Sequence, residues 1–133
     1  MTEPVVHFID DDEAIRTSSQ FLFELHDLPT RTYASALDFL AQANGSISGC
    51  VVTDVRMPGM SGLELVRALG ERGNPPPMIV ITGHGDIPLA VDAMRAGVAD
   101  FIEKPFDDEV LVRSIQRALG DKKETPEQAD RKE

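Results

Sequence analysis

The chain has 133 residues, 41% of them hydrophobic, which is enough for one compact domain with a buried core and argues against wholesale disorder. Its 23 acidic and 13 basic residues give a formal net charge of -10, which repels nucleic acid and anionic membrane surfaces. The single cysteine, Cys50, cannot form an internal disulfide, and the first residues do not resemble a signal peptide. No apolar run is long enough to cross a bilayer, so we expect a cytoplasmic chain that binds neither membranes nor nucleic acid directly.

Four short apolar runs predict β-strands. The first three are nearly continuous in apolar residues rather than alternating, which is typical of strands buried on both faces of a parallel sheet. The more polar segment from Thr30 to Tyr33 predicts a further strand at a sheet edge. The four apolar runs are Val5 to Ile9, Cys50 to Thr53, Met78 to Thr82, and Phe101 with Ile102.

Apolar residues between the strands recur with helical spacing. The segment from Glu13 to about Asp27 predicts a first helix, with Asp12 as its N-cap. Its inward residues are expected to be Ile15, Phe21, Leu22 and Leu25. A second helix is predicted after the N-cap Ser35, with the apolar residues Ala36, Phe39, Leu40 and Ala43.

A third helix is predicted by Leu65, Val66 and Leu69, and Ser61 with Glu64 gives it a capping box. The fourth predicted helix begins after Asp86 as its cap and stops at Gly97. Its apolar stripe consists of Ile87, Ala90, Val91 and Met94. The last helix is predicted to start in the acidic residues 107–109, which suit a helix N-terminus, and to end at Gly120.

The strand and helix patterns therefore alternate five times. Such alternation indicates a parallel sheet with helices on both faces. Five repeats favour a flavodoxin-like (βα)5 doubly wound fold, an α/β sheet with strand order 2-1-3-4-5, over an eight-fold barrel. We expect one domain over residues 1–120 and a polar, disordered tail over residues 121–133.

Polar side chains follow the strands of this predicted sheet, where ligands bind in open α/β folds. Asp10 and Asp11 follow the first strand, Asp54 the third, Thr82 ends the fourth and Lys104 follows the fifth. Each alone is more often a turn, cap or surface residue. Together, three carboxylates on one rim are costly without a cation, and hard oxygen ligands fit Mg²⁺. A lysine and a hydroxyl opposite a carboxylate suit a phosphoryl group attached to it.

These motifs together resemble the receiver domains of response regulators. Segments 81–86 and 101–106 are most similar to receivers of FixJ-type nitrogen-fixation regulators. The match covers about residues 5–119, and its motifs occur in chain order: Ile9-Asp10-Asp11, Asp54 to Gly62, Ile81 to His84, and Phe101 to Phe106.

The resemblance implies a phosphorylation chemistry for these residues. Asp54 resembles the phosphoacceptor, a carboxylate nucleophile that attacks a phosphohistidine and forms an acyl phosphate. Asp10 and Asp11 resemble the acidic pair that holds Mg²⁺ with Asp54, and the backbone carbonyl of Arg56 completes the protein ligands. Lys104 resembles the amine that pairs with a phosphoryl oxygen.

The resemblance also implies a switch. Thr82 resembles the hydroxyl that moves to the phosphoryl group, and Phe101 the aromatic residue that then rotates inward. Many members of that family have Tyr at the position of Phe101. Because Phe cannot form the hydrogen bond of a Tyr hydroxyl, we expect the rotation of Phe101 to act on a partner only through the shape of the surface. Pro105 is expected to follow a cis peptide bond. Arg56 and His84 occupy the positions that govern hydrolysis, and we expect them to lengthen the phosphoryl lifetime by shielding Asp54 from water.

The partner implied by the resemblance is a histidine kinase or a phosphotransfer protein. The output face would consist of the fourth helix, fifth strand and fifth helix (the α4-β5-α5 face), which allows a homodimer on phosphorylation. Val91, Arg95 and Asp100 lie on or near it. The polar residues after Gly120 show no pattern of an output domain, and we expect a stand-alone receiver slightly more than a truncated DNA-binding regulator.

Two other functional classes fit the sequence less well. A haloacid-dehalogenase-like phosphohydrolase would use Asp10 as its nucleophile in the motif Asp10-Asp11-Asp12, but such enzymes need more chain. A flavin-binding module would need a Ser/Thr-rich phosphate loop after the first strand, where this sequence has acids instead.

Overall fold

A computed structural model describes residues 4–43, 47–73, 75–83 and 85–123, the last three of these by backbone alone. It contains five strands and five helices in strict alternation. The strands are β1 (Val5–Ile9), β2 (Thr30–Tyr33), β3 (Gly49–Asp54), β4 (Met78–Thr82) and β5 (Asp100–Glu103). The helices are α1 (Glu13–Leu25), α2 (Ala36–Gln42), α3 (Gly62–Glu71), α4 (Ile87–Arg95) and α5 (Asp108–Lys123).

All strand pairs are parallel, and the sheet order is β2-β1-β3-β4-β5, which confirms the predicted doubly wound topology. The polar strand β2 lies at an edge as predicted. Side chains of the inner strands alternate between the two sheet faces. Val51 and Val80 join the cluster under α2, α3 and α4, whereas Val52 and Ile79 join the cluster under α1 and α5.

The predicted caps of the first three helices are present. Asp12 accepts a hydrogen bond from the amide of Ala14, and Ser35 accepts one from the amide of Asp38. Ser61 and Glu64 form both bonds of the capping box. These side chains fix where α1, α2 and α3 begin, and so fix the loops that lead out of the strands.

The predicted inward face of α1 is partly wrong. Phe21 and Leu25 are 64% and 65% exposed, while Phe23 is fully buried. Ile15 and Leu22 pack against the core as expected. Phe23 is buried because its ring meets Phe8 of β1 edge-on, with centroids 5.7 Å apart, and this contact sets the rotation of the helix.

The predicted stripe of α4 is also mostly exposed. Ile87, Val91 and Met94 are 67%, 42% and 49% exposed, and only Ala90 of the stripe is buried, together with Ala93. The small residues let the helix backbone approach the sheet, and of the large apolar residues Leu89 packs against the core although the predicted stripe did not include it. The Asp86 side chain makes no capping bond, contrary to expectation.

Helix α5 continues to Lys123 and not only to the predicted end at Gly120. One glycine costs a helix about 1 kcal/mol, which does not by itself end it. Residues 124–133 of the predicted tail lie outside the described residues. Among the described residues, no helix is both long and apolar enough to span a bilayer.

Candidate functional site

The register of the sheet brings the predicted site residues to one edge. Ile9 pairs with Thr53, Asp54 with Ile81, and Thr82 with Glu103. The residues that end or follow these strands are therefore neighbours across the sheet. They are Asp10, Asp54, Thr82 and Lys104.

Asp10 is a buried carboxylate at this edge, only 3% exposed. Its Oδ1 accepts a hydrogen bond from the amide of Asp12 at 2.9 Å, and its carbonyl accepts one from Nη1 of Arg16 at 2.7 Å. Burial raises the pKa of Asp10, and the nearby carboxylates of Asp54 and Asp11 raise it further. The Asp12 amide and the charge of Lys104 act in the opposite direction, but the net effect is that the ionised form of Asp10 is disfavoured relative to an exposed carboxylate.

Asp54 has a fixed backbone and an accessible side chain. The amide of Val55 donates to the carbonyl of Ile81 at 3.0 Å, and the amide of Gly62 donates to the carbonyl of Val55 at 2.9 Å. A Cβ on Gly62 would overlap the carbonyl oxygen of Asp54, so the start of α3 packs directly on this residue. The side chain of Asp54 keeps 15% exposure.

Lys104 supplies the positive charge opposite Asp54. Its Nζ donates to Oδ2 of Asp54 at 3.3 Å, and its side chain is 41% exposed. Its amide donates to the carbonyl of Thr82 at 2.9 Å, which aligns it with the end of β4. The Lys104-Pro105 peptide bond is cis, as predicted.

The donor set at this edge suits a small hard cation. Asp10 and its neighbours Asp11 and Asp54 can supply carboxylate oxygens, and the pKa of Asp10 is raised mainly by burial and to a smaller extent by the charges of these two neighbours. In the part of the chain that the structure describes, no three His, Cys, Asp or Glu side chains form a ready-made metal cage. Mg²⁺ does not require one, because it binds through one or two carboxylates, waters and phosphate oxygens.

The side chain of Arg56 forms an ion pair with Asp86, the residue directly before α4. Its Nη2 donates to Oδ2 of Asp86 at 2.7 Å, and the side chain is 72% exposed. Its amide lies 3.4 Å from Oδ1 of Asp54. His84, the second residue predicted to control the phosphoryl lifetime, lies outside the described residues.

Thr82 and Phe101 lie in one groove between α4 and β5. Thr82 is 2% exposed and Phe101 is 36% exposed. The groove has a volume of about 610 Å³ and is lined mainly by apolar side chains. A buried hydroxyl and an outward aromatic ring on the same groove are the arrangement that the predicted switch requires.

Two residues at the site were not identified from the sequence. Arg16 reaches back from α1 to the carbonyl of Asp10. Glu103 accepts a hydrogen bond from the amide of Gly85 at 2.6 Å and so ties the β4–α4 connection to β5. The sequence signal that could have identified Glu103 is its position directly before Lys104. The signal that could have identified Arg16 is its position one helical turn after Asp12.

Comparison with known proteins agrees with this geometry. The family model described as the response regulator receiver domain matches residues 6–116. The transcriptional regulatory protein FixJ of Azorhizobium caulinodans is 50% identical over 125 residues, which cover 94% of this chain and 59% of that protein. FixJ of Rhizobium meliloti is 50% identical over 118 residues, 89% of this chain and 58% of that protein.

A solved structure gives the same result. The crystal structure of FixJ-N superimposes with a TM-score of 0.83 at 48% identity, covering 90% of this chain and 96% of that one. The chain spans somewhat more than half the length of the curated relatives it matches. The fold, the motifs and these matches confirm the family predicted from the sequence: this chain belongs to the response regulator receiver domains of two-component signalling systems.

Proposed function

We propose that Asp54 accepts a phosphoryl group from a phosphohistidine of a histidine kinase or phosphotransfer protein. A carboxylate oxygen of Asp54 attacks phosphorus, a new O–P bond forms, and the P–N bond breaks. The imidazole leaves with the electron pair of that bond, and Asp54 becomes an acyl phosphate. We propose that this reaction takes place in the cytoplasm.

One observation carries the proposal: the accessible Asp54 carboxylate faces Nζ of Lys104 at 3.3 Å beside a buried second carboxylate. The ammonium group can stay paired with an oxygen of the incoming phosphoryl group as charge builds there. The backbone of Asp54 is held by β4 and Gly62, so the nucleophile keeps its position during the transfer.

Asp10, Asp11 and Asp54, with the backbone carbonyl of Arg56, are the proposed Mg²⁺ ligands. The bound ion would neutralise charge on the transferring phosphoryl oxygens. A magnesium titration followed by amide NMR should shift residues 10, 11 and 54, and Asp11→Ala should weaken the binding. Equal binding by Asp11→Ala and the unaltered chain would place the ion elsewhere.

Thr82, Phe101 and Pro105 are the proposed switch residues, and the α4-β5-α5 face is the proposed output surface. Phosphorylation favours the state in which Thr82 donates to the phosphoryl group and Phe101 enters the groove that both residues line. The exposed Ile87, Val91 and Met94 then offer an apolar surface for a partner or a second copy of the chain.

The competing function, a phosphohydrolase that uses Asp10, is not favoured. Asp10 is 3% exposed and one of its oxygens already accepts a backbone hydrogen bond. A carboxylate that the protein covers is a poor nucleophile, because an incoming phosphoryl group cannot reach it. Within the described ranges, no feature of the site favours turnover of external phosphate esters.

Intact-mass measurement after incubation with acetyl phosphate and Mg²⁺ tests the assignment. The unaltered chain should gain one phosphoryl group and Asp54→Asn none. Asp38→Asn, on the exposed start of α2, is the matched control and should be phosphorylated normally. Persistent phosphorylation of Asp54→Asn would overturn the proposal and favour Asp10.

Lifetime is a separate proposal. Arg56 and His84 should slow hydrolysis by restricting the in-line approach of water to the acyl phosphate. Dephosphorylation after removal of the donor should be faster for the double variant Arg56→Asn with His84→Glu. Equal rates for the two proteins would show that these side chains do not shield the site.

A further inference from the structure

The connection between β4 and α4 is tied on two sides to residues next to the proposed phosphorylation site. Oδ2 of Asp86 accepts a charged hydrogen bond from Arg56 at 2.7 Å, and the amide of Gly85 donates to Glu103 at 2.6 Å. Arg56 stands two residues after Asp54, and Glu103 directly precedes Lys104. The start of α4 is therefore linked to the site by side chains as well as by the sheet.

The carboxylate that pairs with Arg56 belongs to the N-cap residue of α4. Asp86 is the N-cap residue of α4, but its side chain makes no capping bond. The first intrahelical bond runs from the amide of Ala90 to the carbonyl of Asp86 at 3.1 Å. Because Pro88 has no N–H, the amide of Leu89 is the donor that a capping Asp86 would satisfy. Ser61 caps α3 in this way, through the amide of Glu64.

A phosphoryl group on Asp54 would compete with Asp86 for the Arg56 guanidinium. It would add roughly −1.5 to −2 charges and three acceptor oxygens two residues from Arg56. Guanidinium groups bind phosphate through paired, charge-assisted hydrogen bonds. The side chain of Arg56 is 72% exposed, so core packing does not hold it in its present direction.

We infer that phosphorylation of Asp54 transfers the Arg56 guanidinium from Asp86 to the phosphoryl group, and that the released Asp86 then caps α4 through the amide of Leu89. This inference rests on the proposed function, because it requires a phosphoryl group on Asp54. It gives α4 a second link to the site, independent of Thr82 and Phe101. The first turn of α4 becomes more ordered when the chain is phosphorylated.

The test is hydrogen exchange of the Leu89 amide, measured by NMR before and after addition of acetyl phosphate and Mg²⁺. Intact mass is recorded on the same samples. Exchange of Leu89 in the unaltered chain should slow about fivefold on phosphorylation, the effect of one helix cap. In Arg56→Gln it should already be slow without the phosphodonor. In Asp86→Ala it should be fast in both states.

Arg113→Gln is the matched control, since it removes an arginine from the exposed Arg113–Glu109 pair on α5, away from the site. Its Leu89 amide should behave as in the unaltered chain. The inference is wrong if intact mass shows full phosphorylation but hydrogen exchange of the Leu89 amide is unchanged. It is also wrong if the Leu89 amide of unphosphorylated Arg56→Gln exchanges its hydrogen as fast as in the unaltered chain. A chain that gains no phosphoryl mass would overturn the proposed function first, and this inference with it.

Discussion

Helices α3 and α4 pack against the same face of the sheet but are held there differently. Five residues of α3 are buried, and its start is fixed by a complete capping box. The described part of α4 buries only Ala90 and Ala93, and its N-cap residue forms an ion pair where a cap bond would be. Three of its large apolar residues, Ile87, Val91 and Met94, are exposed, while Leu89 is partly buried against the core.

The difference assigns the two helices separate roles. Gly62 at the start of α3 touches the backbone of Asp54, so α3 positions the proposed phosphoacceptor. Helix α4 has few buried contacts to lose, so a small change in free energy can move it. The site is therefore rigid on one side and adjustable on the other.

The largest expected effect comes from truncating a core residue of α3. Leu65 is fully buried, and Leu65→Ala should lower the free energy of unfolding by about 3 kcal/mol. The same change in size on α4, Met94→Ala, should cost about 0.5 kcal/mol because Met94 is 49% exposed. Urea unfolding of both variants measures the difference. Equal losses would mean that α4 is as firmly packed as α3.

A smaller effect is expected from two glycines of α3. Gly62→Ala places a methyl group against the carbonyl oxygen of Asp54 and should cost about 2 kcal/mol. Gly70→Ala meets no atom within 4 Å and should stabilise the helix by about 0.5 kcal/mol. Thermal unfolding of the two variants should therefore give shifts of opposite sign. A stabilised Gly62→Ala would show that α3 does not pack tightly on the site.

The caps offer a third comparison in the unphosphorylated chain. Ser61→Ala removes a capping bond of α3 and should cost about 1 kcal/mol. Asp86→Ala removes only an ion pair whose arginine is largely exposed, and should cost no more than about 0.5 kcal/mol. The midpoints of denaturant unfolding, compared at an unchanged denaturant dependence, show which of the two variants loses more stability. A larger loss for Asp86→Ala would contradict the view that α4 is weakly anchored.

The smallest expected effect is the dependence of stability on pH that comes from His7. This residue lies on the same face of the sheet, beside α2. Nε2 of His7 donates to the carbonyl of Ser48, and its Nδ1 accepts from the hydroxyl of Tyr33, both at 3.0 Å. Burial lowers the pKa of His7 below its ordinary value of 6.5, and the charge of Arg31 lowers it further. The unfolded chain therefore binds the proton more readily.

Stability contributed by neutral His7 is complete above pH 6.5 and is lost as the pH falls towards the lowered value. The free energy of unfolding should thus decline less between pH 7.5 and 5.5 in His7→Gln than in the unaltered chain. Substitutions in α3 should still lower the free energy of unfolding more than the matched substitutions in α4 at both pH values. Parallel pH profiles for the two proteins would refute the role of His7.

Much of the fold followed from the sequence because its signals are local. Continuous apolar runs marked β1, β3 and β4, and Ser61 with Glu64 marked the start of α3. The site residues were identifiable because they sit at the ends of those runs, where a parallel sheet places them at one edge. Their contact, such as that of Lys104 with Asp54, follows from the strand register.

The errors arose where the outcome depends on packing between distant segments. Helical spacing in α1 is compatible with Phe21 or with Phe23 as an inward residue, and only the contact of Phe23 with Phe8 decides. Spacing in α4 identifies an apolar stripe but not whether the sheet covers it. The partner of Asp86, thirty residues away in sequence, has no local signature at all.

The exposure of the Arg56–Asp86 pair makes the start of α4 sensitive to ionic strength. Charges at a protein surface are screened over about 8 Å at physiological salt, and exposed pairs weaken further as salt rises. Because Arg56 is 72% exposed, added salt should loosen this tether, while the hydrogen bond from Gly85 to Glu103 is affected less. The resting position of α4 is therefore set partly by the ionic composition of the solution around the chain.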